Sequence, residues 1–129
     1  GAKPEVHRVV SVEDLLAARS AVHAVHLNDA LRDYIVHLVL ATRQPKTYRL
    51  DSLTPLIAFG ASPRATIYLA QAAKAFAFIN GRGYVVPDDV KTVAKDILRH
   101  RVIITYEAEA EELTSDDIVG RVLEGVAVP

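Results

Sequence analysis

Apolar residues return at intervals of three and four along most of the chain, with polar and turn-forming residues between the runs. In the stretch VEDLLAARSAVHAV, Val12, Leu15, Leu16 and Val22 fall on one stripe of a helix, and Ser11 with Asp14 resembles a capping box at its start. VHL reads as a short extended link before Asn28, the expected cap of a second helix with Leu31, Tyr34, Ile35, Leu38 and Thr42 at helical spacing. That helix should end near Gln44-Pro45, because proline disfavours the helical conformation in the residue before it. Residues 45 to 61, with Pro45, Pro55 and Gly60, read as a loop.

A third helix is expected from Pro63 to Ile79, with Ser62 as its cap and an alanine-rich run (LAQAAKAFAF) that permits close helix packing. NGRGY supplies a stop, with Gly81 and Gly83 free to take positive φ, and Val85-Val86 has strand character. Pro87 with Asp88 and Asp89 opens a fourth helix whose stripe is Val90, Val93, Ala94, Ile97 and Leu98. RVIITY has strand composition, and Thr114-Ser115-Asp116-Asp117 starts a fifth helix carrying Ile118, Val122 and Leu123. The pattern predicts a mainly α, five-helix chain with up to two short strands, preceded by an extended lead-in over residues 1–10.

Composition narrows this picture. Half of the 129 residues are hydrophobic, enough for one compact domain, and Ala, Val and Leu outweigh three Phe, five Tyr and no Trp, which suits closely packed helices. Fifteen Lys plus Arg against sixteen Asp plus Glu argue against binding nucleic acid through bulk charge. The absence of cysteine excludes disulfide and thiolate chemistry and fits a reducing, cytoplasmic setting. No apolar run approaches the roughly 18 residues of a membrane helix. A chain without methionine that opens Gly1-Ala2-Lys3-Pro4 is expected to be a piece of a longer protein, with Gly1 left by cloning.

One stretch raises a chemical question. In GASPRA, Ser62 and Pro63 place Arg64 in the first turn of a helix, where a cation opposes the helix dipole by roughly 0.3–1 kcal/mol. The placement becomes favourable where an anion is held by the guanidinium together with free backbone N–H groups, and Gly60 and Ala61 leave room for it. An ordinary Ser-Pro helix start with its arginine in water fits the same residues. Arg99, His100 and Arg101 in LRHR either complement the negative end of the fourth helix or form a contact with another domain or subunit. His23 and His26 share a spacing seen in metal sites, but with no cysteine or fixed carboxylate beside them no metal site is assigned. Glu107, Glu109 and Glu111 read as a solvated acidic turn.

Taken together, GASPRA, Gly81-Arg82, Tyr84-Val85, Pro87, Asp89-Val90 and Leu98-Arg99-His100-Arg101 resemble the C-terminal lid of MoxR-type AAA+ ATPases. YIVHLVLATR (Tyr34 to Arg43) and the final Val128-Pro129 match as well, so the resemblance runs from about Ser11 to the end. It implies a helical lid over residues 11–129 that closes over ATP and Mg bound to a separate P-loop core. Arg64 then stands at the sensor-2 position as the catalytic cation on the phosphates, with Ala61 and Ser62 near the nucleotide. The family further implies a homo-oligomeric ring, expected as a hexamer, and work on partner proteins, among them von Willebrand factor A-domain proteins. Val86 departs from the family's Thr or Ser at the start of the fourth helix. The chain also lacks GxxxxGK[ST] and an Asp-Glu pair for magnesium, so it is not expected to hydrolyse or firmly bind ATP alone. The competing reading is a stand-alone helical interaction or DNA-binding module, which a basic stripe of Arg82, Lys91, Lys95, Arg99 and Arg101 would favour.

Overall fold

A computed structural model describes residues 1–129. Residues 1–10 form no helix or strand and lie exposed. The first helix, α1 (Val12–His23), starts at the expected capping box: the Ser11 hydroxyl accepts the Asp14 N–H at 3.0 Å, and the Ser11 N–H reaches the Asp14 carboxylate at 3.1 Å. None of its residues is buried, however, and Val12, Leu15 and Leu16 are each more than half exposed. The apolar stripe is real, but only its Val22 is half-buried.

The second helix, α2 (Asp29–Arg43), follows its Asn28 cap and buries Leu31, Tyr34, Ile35, Leu38, Val39, Ala41 and Thr42. It ends before Pro45, as the proline requires. The expected loop that follows is more ordered than its prolines suggest. Two 3-10 turns, Pro45–Tyr48 and Asp51–Leu56, meet at Arg49 (φ 57°), and Leu53 and Leu56 anchor the second turn in the core. Strand β1 (Ile57–Phe59) then pairs antiparallel with β2 (Ile103–Ile104), bringing Ile57 opposite Ile104. Segments this short carry no readable period, and β1's partner lies far along the chain.

Helix α3 (Ala65–Ile79) buries Ala65, Leu69, Ala73 and Ala77 and packs on α1, α2 and α4 (Pro87–Leu98), the small side chains allowing the close approach. Its C-terminus closes as expected at Gly81 (φ 77°), with the Arg82 N–H on the Ala77 carbonyl at 2.9 Å. Gly83 does not use positive φ; its carbonyl instead accepts the His26 N–H at 2.9 Å. Val85-Val86 is likewise no strand, because the parallel pairing stops at a single His26–Tyr84 bridge. The α4 stripe is buried at Val90, Ala94 and Leu98 and half-buried at Val93 and Ile97. The expected acidic turn is a short helix, α5 (Tyr106–Ala110), capped by Thr105 with Glu107 and Glu109 exposed. The last helix, α6 (Ser115–Gly125), begins at a Thr114–Asp117 capping box and buries Ile118, Val119 and Val122 against α2 and α4. The five expected helices are all present, but the core of 25 apolar residues draws on α2, α3, α4 and α6 and not on α1, which packs on α3 from outside it.

Candidate functional site

The GASPRA turn sits where the C-terminus of α2 meets the start of α3. Its backbone departs from the expectation in one respect that matters chemically. The α-helix proper begins at Ala65, and Ser62 to Arg64 form a tighter lead-in turn. In it the Arg64 N–H reaches the Ser62 hydroxyl at 3.2 Å, the Ala65 N–H reaches the Ser62 carbonyl at 2.9 Å, and the Thr66 N–H reaches the Pro63 carbonyl at 3.1 Å. Pro63 has no N–H. The cluster of free backbone donors expected at this helix start is therefore consumed internally. What remains for an anion is the Arg64 side chain, which is exposed and makes no hydrogen bond or ion pair.

The turn is fixed from behind by α2. The buried Thr42 hydroxyl donates to the Val39 carbonyl at 2.6 Å and accepts the Ala61 N–H at 3.0 Å. Arg43 Nη1 donates to the Ala61 carbonyl at 3.2 Å. Ala61 is fully buried, with both backbone groups engaged, so it positions the turn while Ser62 and Arg64 face outward. Gly60 is required by this approach: a Cβ there would lie 2.4 Å from the Thr42 carbonyl oxygen. The 3–4 spacing placed Thr42 on the buried stripe, but it gave no sign that its hydroxyl holds the arginine-bearing turn.

The other expected site residues lie elsewhere. Arg99 bridges α4 to α6, with Nε on the Asp116 carboxylate at 2.8 Å and Nη1 on Asp96 at 3.2 Å, and the Asp116 hydrogen bond and charge hold its guanidinium still more firmly protonated. Arg101 donates to the Ile97 carbonyl at 2.6 Å, at the negative end of α4, and its guanidinium lies 4.7 Å from the centre of the Tyr68 ring on α3. His100 is exposed. Arg82 forms an ion pair with Asp89, a carboxylate only 1% exposed that also accepts the Val86 N–H at 2.8 Å. Three of the five cations in the proposed basic stripe are thus engaged within the fold. That weighs against a nucleic-acid face. No side chain caps α4 at Val86, and Asp89 supplies only the reciprocal bond, taking the Val86 N–H, a role hidden by its reading as a first-turn acid.

Residues 52–122 match the model of the family described as AAA lid domain. The chain belongs to this family. Among curated relatives, Chaperone MoxR1 of Mycobacterium tuberculosis is 40% identical over 98% of this chain and 33% of its own length. Protein MoxR of Methylorubrum extorquens is 31% identical over 94% of this chain and 37% of its own length. A crystal structure of a Cytophaga hutchinsonii protein, described as a candidate ATPase, superimposes with a TM-score of 0.87 at 44% identity, covering 91% of this chain and 36% of that one. The AAA lid chain thus spans about a third of the length of the curated relatives it matches. It is the lid subdomain of a MoxR-like AAA+ ATPase.

Leu15 and Val22 of α1, Val36 of α2 and Ile67, Phe78 and Ile79 of α3 line a groove of about 910 Å³. No helix of the chain is long and apolar enough to cross a membrane.

Proposed function

We propose that this lid closes over ATP and magnesium held by the P-loop core of its parent ATPase, with Arg64 reaching the phosphates as the sensor-2 cation. The observation that carries the reading is the state of Arg64: an unpaired, exposed guanidinium at the positive end of α3, on a turn pinned to α2. Bound ATP supplies the transferable phosphoryl group, and Arg64 contributes charge complementary to its oxygens as negative charge shifts during transfer. Ser62 lies on the same outward face of the turn. Ala61 acts from beneath by fixing the backbone path. The magnesium would be held by the core, as the family resemblance implies.

The groove between α1, α2 and α3 supports a lid–core contact, and the exposed His100 is free for a contact that its neighbours Arg99 and Arg101 no longer offer. Lid angle would couple nucleotide state to a homo-oligomeric ring, a hexamer by family resemblance, acting in the cytoplasm. The ring's work would be remodelling or maturation of partner proteins, among them von Willebrand factor A-domain proteins.

The test is Arg64→Ala in the full-length ATPase. Turnover is expected to fall by about 100-fold, the scale of removing one preorganised charge donor. Melting of the lid should stay put or rise slightly, because an unpaired cation leaves the positive end of α3. Wild-type turnover in this variant would remove Arg64 from the mechanism.

A further inference from the structure

We infer that Thr42 and Arg43, at the last turn of α2, are positioning residues for Arg64, so that α2 and the phosphate-sensing turn move as one unit. The inference rests on the proposed role of Arg64 but concerns residues outside the GASPRA motif. Arg64 has no partner of its own, and its Ser62 and Pro63 neighbours are exposed. The aim of its side chain therefore depends on the backbone path through Gly60 and Ala61.

That path is fixed at three points on α2. The Thr42 hydroxyl hydrogen is committed to the Val39 carbonyl at 2.6 Å, which leaves its oxygen lone pairs to receive the Ala61 N–H at 3.0 Å. Arg43 holds the other side of the same peptide unit's residue, through the Ala61 carbonyl at 3.2 Å. The Gly60 backbone lies so close to the Thr42 carbonyl that no side chain fits between them. Thr42 is 1% exposed and Ala61 fully buried, so water cannot replace the lost bond without opening the packing. A displacement of the C-terminal end of α2 is transmitted to the root of the Arg64 side chain. Misplacement of a catalytic group by about 1 Å can cost up to about 100-fold in rate, which makes such a latch kinetically visible.

The experiment measures steady-state ATP turnover by the full-length ATPase carrying Thr42→Val, Thr42→Ser, Arg64→Ala, and the Thr42→Val/Arg64→Ala pair. Thr42→Val, which keeps the shape and removes the hydroxyl, should lower kcat about tenfold with KM for ATP changed by less than about twofold. Thr42→Ser, which keeps the hydroxyl, should restore most of the rate. The pair should be no slower than Arg64→Ala alone, because a latch has nothing left to position once the guanidinium is gone. A purely structural role would instead multiply the two losses. Arg43→Gln, at an exposed position, is the second variant should Thr42→Val fail to fold, and it should lower kcat about two- to threefold. Wild-type kcat in Thr42→Val or Arg43→Gln, or multiplied losses in the pair, overturns the latch while Arg64→Ala remains slow. Wild-type turnover in Arg64→Ala overturns the reading beneath it.

Discussion

Asp89→Ala removes the one acidic side chain that the fold buries almost completely, and its cost can be worked out from its partners. The carboxylate takes the Arg82 guanidinium on one oxygen and the Val86 N–H at 2.8 Å on the other. Alanine leaves both donors without an acceptor beside a vacated space. Breaking a buried pair from one side costs about 3–5 kcal/mol, and the Arg82 side chain, 29% exposed, recovers part of this from water. We take about 3 kcal/mol. For 129 residues the unfolding entropy is about 0.27 kcal/mol/K, so each kcal/mol moves the midpoint by about 4 °C and Asp89→Ala should lower Tm by about 11 °C. Asp89→Asn keeps an acceptor for Val86 and should cost about half as much. The assay is thermal unfolding followed by far-ultraviolet circular dichroism, repeated in Arg82→Met and in the Arg82→Met/Asp89→Ala pair. The double variant should lose well below the sum of the single losses, since no guanidinium is then left unpaired. A loss below about 1 kcal/mol for Asp89→Ala, or strict additivity with Arg82→Met, would refute the reading of this pair as a stabilising link between the turn after α3 and the first turn of α4.

Two further outcomes test local chemistry. The Tyr34 hydroxyl is buried without a hydrogen-bond partner, and burial raises its pKa above the usual tyrosine value, so Tyr34→Phe should be neutral or stabilising by up to about 1 kcal/mol in urea unfolding. Stability linked to that hydroxyl is present below the unfolded-state pKa near 10 and lost as pH rises through the higher folded value; the phenylalanine variant should lose this alkaline dependence. At the other end of the scale, hydrogen bonds from Ser11 and Thr114 hold the Asp14 and Asp117 carboxyls below their ordinary pKa. Their contribution is present above the unfolded carboxylate value near 3.9 and disappears as pH falls through the depressed folded values. Amide exchange at the first turns of α1 and α6 should therefore quicken in acid, and Thr114→Ala should quicken it at neutral pH at a cost of about 1 kcal/mol, whereas unchanged exchange would dismiss the caps as stabilising.

Elements whose cause is local were readable in the sequence, and those whose cause is distant were not. Ser11, Asn28, Thr114 and Pro87 mark helix starts through bonds or backbone limits within three residues, and the structure places helices behind each of them. Residues 45–59 resisted because Leu53 and Leu56 act through packing and β1 through a strand more than forty residues away. The same division runs through the site. Arg64 announced itself by contradicting its local electrostatics. Thr42 did not, because a threonine among apolar residues on a buried stripe looks the same whether its hydroxyl merely bonds its own helix or also holds a neighbouring turn. Nor did Asp89, whose place in a first turn already had a sufficient explanation in the dipole.

That contradiction is sharper in the folded protein than in the sequence. The first turns of α1, α2, α4, α5 and α6 all carry Asp or Glu, as the helix dipole favours. Helix α3 carries none, and an arginine stands at its boundary instead. Of the arginines at other helix ends, Arg43, Arg99 and Arg101 are each committed to a carbonyl, a carboxylate or a ring. Arg64 alone of these is left unpaired, on a turn held by a buried hydroxyl and a glycine with no space for a side chain. The lead-in turn also occupies the N–H groups that ordinarily bind an anion at a helix start. On the proposed reading, backbone donors used up within the turn and a free guanidinium on a fixed root suit a ligand that arrives from outside the lid. It would be approached by one strong cation at a defined angle, and the lid's tilt would set that angle.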